Sequence, residues 1–193
     1  MKLHRKADSR IPRTRAAIRS AYLGLLSEKD AAAITVTDVA AAASLDRKTI
    51  YNYYASATAI LDELENELVG KVGAMLREMD FAGWLRDPFG FLDAVTRAFD
   101  AHDELTTPLV KRNKSSHVLE KLRTAVSERV GATLSESIAP TKRQYARLYA
   151  DFLTSGIVTV YREWLARGRI QPLDEIARQI QQLLDGSLST FLG

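Results

Sequence analysis

The chain of 193 residues contains no cysteine. That absence removes disulfides, thiolate nucleophiles, zinc ribbons and iron–sulfur ligation together. It fits a reducing compartment, and a cytoplasmic location is expected. Histidine is scarce: His4, His102 and His117 are too few and too scattered for a histidine-rich metal site. No apolar run approaches the roughly 18–20 residues that span a bilayer, so no membrane partner is expected. The charged N-terminus, Met1-Lys2-Leu3-His4-Arg5-Lys6, is followed by no apolar segment of the kind a signal peptide carries. Neither phosphate-loop pattern, G-x-x-x-x-G-K-[ST] or G-x-G-x-x-G, occurs. Ser115, Ser116 and His117 lack the G-x-S-x-G elbow of a hydrolase. No cofactor, metal or catalytic residue is expected.

What the chain does have is an uneven charge distribution. The first 57 residues hold ten basic and five acidic side chains, and the remainder seventeen and nineteen. A basic head on a mildly acidic body points to a polyanion partner for the head. For residues 1–10 a solvated tail is an equal alternative.

The apolar pattern is helical throughout, with no sustained alternation of period two. A first helix is expected from Pro12 to Ser27, with Pro12 in its first turn. Ile18, Ala21, Tyr22, Leu25 and Leu26 form its apolar stripe. Thr35 and Asp38 stand in capping-box register ahead of a short helix over 36–43. Ser44-Leu45-Asp46 interrupts it, and Asp46 can cap a second short helix over 47–53. Two short helices joined by so brief a turn make a helix-turn-helix pattern. A long helix over 57–79 follows. The body continues with helices over 88–102, 103–111 (bent at Pro108), one capped by Ser115 or Ser116 and ending near Ser137, then 140–167 and a last one opened by Pro172. Gly168 is the natural stop between the last two. The domains expected are a basic arm over 1–11, a DNA-binding head over 12–56 and a ligand-binding and dimerisation body over 57–193. The fold expected is all-α, with about nine helices.

Residues 13–64 resemble the TetR family of bacterial transcriptional regulators. The resemblance is carried by Ile34-Thr35-Val36-Thr37-Asp38-Val39-Ala40, by Ala43-Ser44-Leu45-Asp46-Arg47-Lys48-Thr49-Ile50-Tyr51-Asn52-Tyr53-Tyr54 and by Ala59-Ile60-Leu61. Three residues depart from the family's habit. Ser44 replaces a turn glycine, Tyr54 replaces phenylalanine, and Ala57 replaces a lysine that touches a phosphate. A serine at positive φ costs about 1 kcal/mol. The Tyr54 hydroxyl needs a partner. The missing lysine removes one charge-assisted phosphate contact.

The resemblance implies a double-stranded DNA operator as partner. Leu45, Ile50 and Tyr54 are expected to face a core with Val39 and Leu25. Arg47, Lys48, Tyr51 and Asn52 are left outward, where Arg47 and Lys48 can reach guanine and Asn52 adenine or a phosphate. Thr37 and Thr49 are expected at phosphates, and Tyr51 and Tyr53 at the backbone. The alternative for Arg47 and Lys48 is an ordinary solvated face. Lys2, Arg5, Lys6 and Arg10 are candidates for minor-groove entry.

The resemblance also implies a homodimer, formed by the two C-terminal helices, and a small-molecule effector of unidentified structure. The interface expected comprises Tyr149, Phe152, Gly156, Val160, Trp164, Ile176, Ile180 and Leu184, with Gly156, Ala146 and Ser155 permitting close approach. The alternative is a monomer that keeps this surface in its own core. Trp84, Phe99, His102, His117, Tyr149 and Phe152 are expected to line the effector site, although aromatic residues at helical spacing are more often core. Two other functions compete. One is an interaction protein of this type that has lost autonomous DNA binding. The other, more remote, is a metal-dependent helical phosphohydrolase, to which His102-Asp103 bears a resemblance.

Overall fold

The structure is a computed structural model that describes residues 4–78, 88–112 and 117–192, with the backbone alone at 4–10, 88, 112, 137 and 185–192. Among the described residues there are nine α-helices and no strand. They are α1 (His4–Leu26), α2 (Val36–Ala42), α3 (Arg47–Tyr51), α4 (Ala57–Arg77), α5 (Pro88–Asp100), α6 (Asp103–Thr106), α7 (Val118–Ser137), α8 (Ala146–Ala166) and α9 (Leu173–Leu192). Two 3₁₀ turns, Ala31–Ala33 and Pro140–Tyr145, and a π-helical turn, Thr107–Arg112, complete the order.

Helix α1 starts well before the expected first turn and carries Pro12 inside it. Proline removes one i→i−4 hydrogen bond, that to the carbonyl of residue 8. Pro12 is exposed, so the helix can run through it at limited cost. Pro108 lies within the π-helical turn. Its missing N–H breaks the i→i−4 ladder there, which accounts for the bend expected at this point. The start of α7 is a correction. Its N-cap is His117, which makes no side-chain capping bond, while Ser115 and Ser116 lie outside the described residues.

The chain divides into two compact units, one of residues 1–68 and 103–116, the other of residues 69–102 and 117–193. The division falls within α4, because Ile60, Leu61, Leu64 and Leu68 are buried in the first unit. There they join Ile18, Tyr22, Leu26, Ile34, Val39, Ile50 and Tyr54. Leu105, Thr106 and Leu109 from α6 and the π-helical turn are buried in the same unit. Leu25 and Leu45, expected in this core, are only half-buried, and Leu26 and Tyr22 occupy it instead.

The second unit is built on α7 against α8 and α5 against α9. Gly131 of α7 faces Ala150 of α8, where an added Cβ would stand 3.6 Å from that of Ala150. The close helix approach is therefore here. At Gly156, where it was expected, an added Cβ would meet nothing within 4 Å. Helix α8 stops in a Schellman motif: Gly168 (φ +76°) donates to Leu165 O at 3.1 Å and Arg169 to Trp164 O at 3.0 Å. Arg169 also has positive φ, 58°. Its guanidinium bonds both carboxylate oxygens of Asp100, at 2.8 and 3.0 Å, and lies over the Trp164 ring. The Trp164 indole N–H donates to Gln171 O at 2.8 Å.

Candidate nucleic-acid interface

Two helices as short as α2 and α3 do not persist alone in water, because each closes few hydrogen bonds for the backbone it fixes. Their ends hold them. The Thr35 side chain accepts from Asp38 N at 3.2 Å, and Asp38 Oδ2 accepts from Thr35 N at 2.8 Å, a complete capping box. Lys29 Nζ reaches the same carboxylate oxygen at 2.8 Å. The Lys29 hydrogen bond, with those from Thr35, holds the Asp38 carboxyl well below its ordinary value, at about 2. Asp46 caps α3, accepting from Thr49 N at 2.8 Å and from the Thr49 hydroxyl at 2.7 Å. Those bonds from Thr49 lower the Asp46 carboxyl too.

Helix α2 ends in a second Schellman motif, Ser44 N donating to Ala41 O at 3.2 Å and Leu45 N to Ala40 O at 2.9 Å. The residue in the left-handed region is Ser44, φ 54°, where glycine is the usual occupant. The turn is therefore the ordinary one, built with a less suitable residue.

With Val39 and Ile50 fully buried, the opposite side of the pair is set. Arg47, Lys48, Asn52 and Thr37 are exposed, Tyr51 is 57% exposed and Tyr53 is half-buried. Thr49 differs from the rest of the expected contact set: its hydroxyl hydrogen is committed to Asp46, so its part is to cap α3. Of the arm, α1 is helical from His4 onward. An α-helix with side chains is about 10–12 Å across and the minor groove about 6 Å wide, so a helical arm does not enter that groove. Lys2 lies outside the described residues.

A polar network behind α3 was not foreseen. The Tyr54 hydroxyl donates to Glu63 Oε1 at 2.9 Å and accepts from Arg15 Nε at 3.2 Å. Arg15 also pairs with Glu63, and Arg19 with Glu63 and Glu67. The Arg15 guanidinium sits 5.6 Å from the centre of the Tyr54 ring. Burial raises the Glu63 carboxyl, but the hydrogen bonds from Arg15 and Tyr54 outweigh it and the net shift is downward. This joins α1, the end of the α3 segment and α4 within the first unit. Tyr54 was the available signal, since a nearly buried phenol demands a partner.

The second unit holds a small cavity of about 40 Å³, lined by Leu76, Phe91, Leu92, Val95, Leu119, Leu122, Arg123, Val126, Thr154, Ile157, Val158 and Tyr161. None of the six residues expected to line an effector site is among them. Trp84 lies outside the described residues. Phe99 is fully buried and stacks on Tyr161 with centroids 6.3 Å apart. His102 is half-buried in the turn after α5, and His117 is the exposed cap of α7. Tyr149 packs beside Tyr145, and Phe152 is 76% exposed. The expectation followed aromatic rings, whereas the cavity wall is mainly aliphatic.

The expected dimer set also divides. Trp164, Ile180 and Leu184 are buried within the second unit, which corrects their placement at an interface. Tyr149 and Ile176 are half-buried. Phe152, Gly156 and Val160 are exposed, and Leu148 joins them at 62% exposure. Leu148, Phe152, Gly156 and Val160 recur every four residues, an apolar ridge along α8.

The Asp103 carboxylate of the His102-Asp103 pair accepts from Thr107 Oγ1 at 2.8 Å and from Lys111 Nζ at 2.6 Å. Among the described residues no cluster of three metal-ligating side chains occurs, and no helix is long and apolar enough to cross a membrane.

Comparison with known proteins adds the relations. The family profile TetR_C_8, described as a transcriptional regulator C-terminal region, matches residues 86–186. An uncharacterised HTH-type transcriptional regulator of Bacillus subtilis, YxbF, is 24% identical over 186 residues, covering 94% of this chain and 47% of that protein. The chain thus spans about half the length of the curated relative it matches. A TetR transcriptional regulator of Streptococcus agalactiae has a similar fold, with TM-score 0.69, 22% identity, and coverage of 92% of this chain and 97% of the other. NalD of Pseudomonas aeruginosa, the secondary repressor of a multidrug efflux pump, gives TM-score 0.59 at 18% identity, covering 90% and 96%.

Proposed function

The chain belongs to the TetR family of transcriptional regulators, and from that premise we propose that it is a ligand-responsive repressor that binds a two-fold symmetric operator as a homodimer. One observation carries the DNA-binding part. Helix α3 is capped by Asp46, seated by Ile50 and left with Arg47, Lys48, Tyr51 and Asn52 in solvent on a single face. A helix of that kind presents its first turn to base edges in the major groove, with arginine and lysine suited to guanine O6 and N7 and asparagine to adenine. Thr37 and Tyr53 flank it as phosphate contacts.

The apolar ridge Leu148-Phe152-Gly156-Val160 supports the homodimer. An isologous contact buries the same exposed surface twice, and Gly156 leaves room for a partner helix. Pairing matters because a palindromic site needs two reading helices about 34–36 Å apart. An effector that favours one arrangement of the dimer over another would change operator affinity by its differential binding, typically about 1–3 kcal/mol.

Selection of bound fragments from genomic DNA, followed by binding to the best fragment, tests the reading. The double substitution Arg47→Gln with Lys48→Gln should weaken binding at least tenfold. Unchanged binding would remove α3 from the interface. A chain that holds no fragment at low salt would instead act through a partner protein, a reading that the alanine at position 57 favours.

A further inference from the structure

We infer that the cavity of the second unit takes an uncharged, hydrocarbon-like effector and rejects anions; the inference rests on the ligand-responsive reading above. The argument is a count of polar hydrogens on the wall. Three lining side chains can donate: Arg123, Thr154 and Tyr161. Thr154 Oγ1 donates to Ala150 O at 2.7 Å. Thr96 Oγ1 donates to Leu92 O at 2.7 Å, so the Tyr161 hydroxyl, 2.9 Å from Thr96 Oγ1, must donate its own hydrogen to that oxygen. Burial raises the Tyr161 phenol to about 12, so it stays protonated at neutral pH. Arg123 places Nε and Nη2 on Glu120 at 2.6–3.0 Å and Nη1 toward Asp151 at 3.5 Å. Each donor of the wall is therefore spent on the protein itself.

A carboxylate or phosphate entering this space finds no hydrogen bond to replace its water, and the one cation nearby is already flanked by two carboxylates. An alkyl chain loses nothing on entry and gains burial against Leu76, Leu92, Val95, Leu122, Val126 and Ile157. Interiors rarely keep room for more than a water molecule, and an apolar void of this kind stays dry. Its size sets the second half of the inference. A void of about 40 Å³ falls short of the ~150 Å³ that admits a benzene ring. The effector must therefore widen the site as it enters, and enlarging the void beforehand should tighten binding.

The test titrates the full chain with 1-decanol and with decanoate, two probes of equal chain length that differ in charge. Saturable binding of decanol, at least tenfold tighter than decanoate, is expected. Leu122→Ala, which enlarges the void, should tighten decanol binding several-fold, and Val95→Phe, which fills it, should abolish binding. Decanoate binding as tightly as decanol, or Val95→Phe retaining both a cooperative melt and unchanged decanol binding, overturns the inference. Binding of neither probe overturns it too, while operator binding through α3, measured separately, would stand. Decanol that binds as expected yet leaves operator affinity unchanged upholds the site and removes the ligand-responsive reading.

Discussion

The Tyr54 hydroxyl donates to Glu63 Oε1 at 2.9 Å, which ties the residue that ends the reading segment to the helix that follows it. Tyr54 is 5% exposed, so the bond forms where water competes poorly. Tyr54→Phe removes the hydroxyl and leaves Glu63 with its arginine partners. It should cost about 1 kcal/mol of stability, the usual net worth of one such bond. Urea denaturation measures it, and a double-mutant cycle with Glu63→Gln should show coupling of similar size. Additive effects would mean that the two groups do not interact.

Ser44 holds the left-handed position of the α2–α3 turn, at a steric cost that glycine does not pay. Ser44→Gly should therefore stabilise the chain by about 0.5–1 kcal/mol, after allowance for the greater freedom of glycine in the unfolded state. Gly168→Ala runs the comparison in reverse, because it places a Cβ at φ +76°, and should destabilise by a similar amount. Thermal melts of the two variants check the signs.

The Asp38 carboxyl gives a pH dependence with a definite sign. Its folded value, about 2, lies below its ordinary value of 3.8. The stabilisation is thus fully present above pH 4 and is lost as pH falls toward 2. Asp46 is shifted the same way and adds to the trend. Asp38→Asn should flatten the stability profile between pH 4 and 2 and leave its shape above pH 5 unaltered, read by fluorescence or circular dichroism melts.

Ala57→Lys should restore a phosphate contact at the start of α4. Affinity for duplex DNA at low salt should rise, and the slope of log K against log salt should steepen by about 0.9. The preference between sequences should stay as it was, since a phosphate contact positions without reading bases. An unchanged slope would place residue 57 away from the DNA.

Phe152→Glu puts charge on the exposed ridge of α8. The chain should remain folded, because Phe152 is 76% exposed, and should sediment as a monomer. Ile180→Ala is the contrast: buried in the second unit, it should cost about 2–4 kcal/mol of stability and leave association intact.

Much of the architecture was readable from residue order. Thr35 with Asp38, Asp46, Gly168 and Pro172 mark helix ends by chemistry that acts within a few residues, and each stands where expected. Longer-range choices were not readable. The stripe on α8 gives the apolar residues but not which side meets α7 and which meets solvent, so Trp164 and Phe152 looked alike. The effector site was sought among rings because rings are conspicuous. The cavity instead arises where branched aliphatic chains from α4, α5, α7 and α8 fail to meet. Pro12 looked like a beginning because a first turn is where proline costs least, yet an exposed proline is tolerated mid-helix as well.

The carboxylate of Asp46 stands at the leading tip of the reading helix, beside Arg47 and Lys48. There it offsets the positive end of the helix, which would otherwise welcome any phosphate that drew near. The tip is thereby made indifferent to the backbone of arbitrary duplex, and discrimination falls to the side chains behind it. A neutral substitute that still closes the cap, such as Asp46→Asn, should make the protein stickier and less choosy at once.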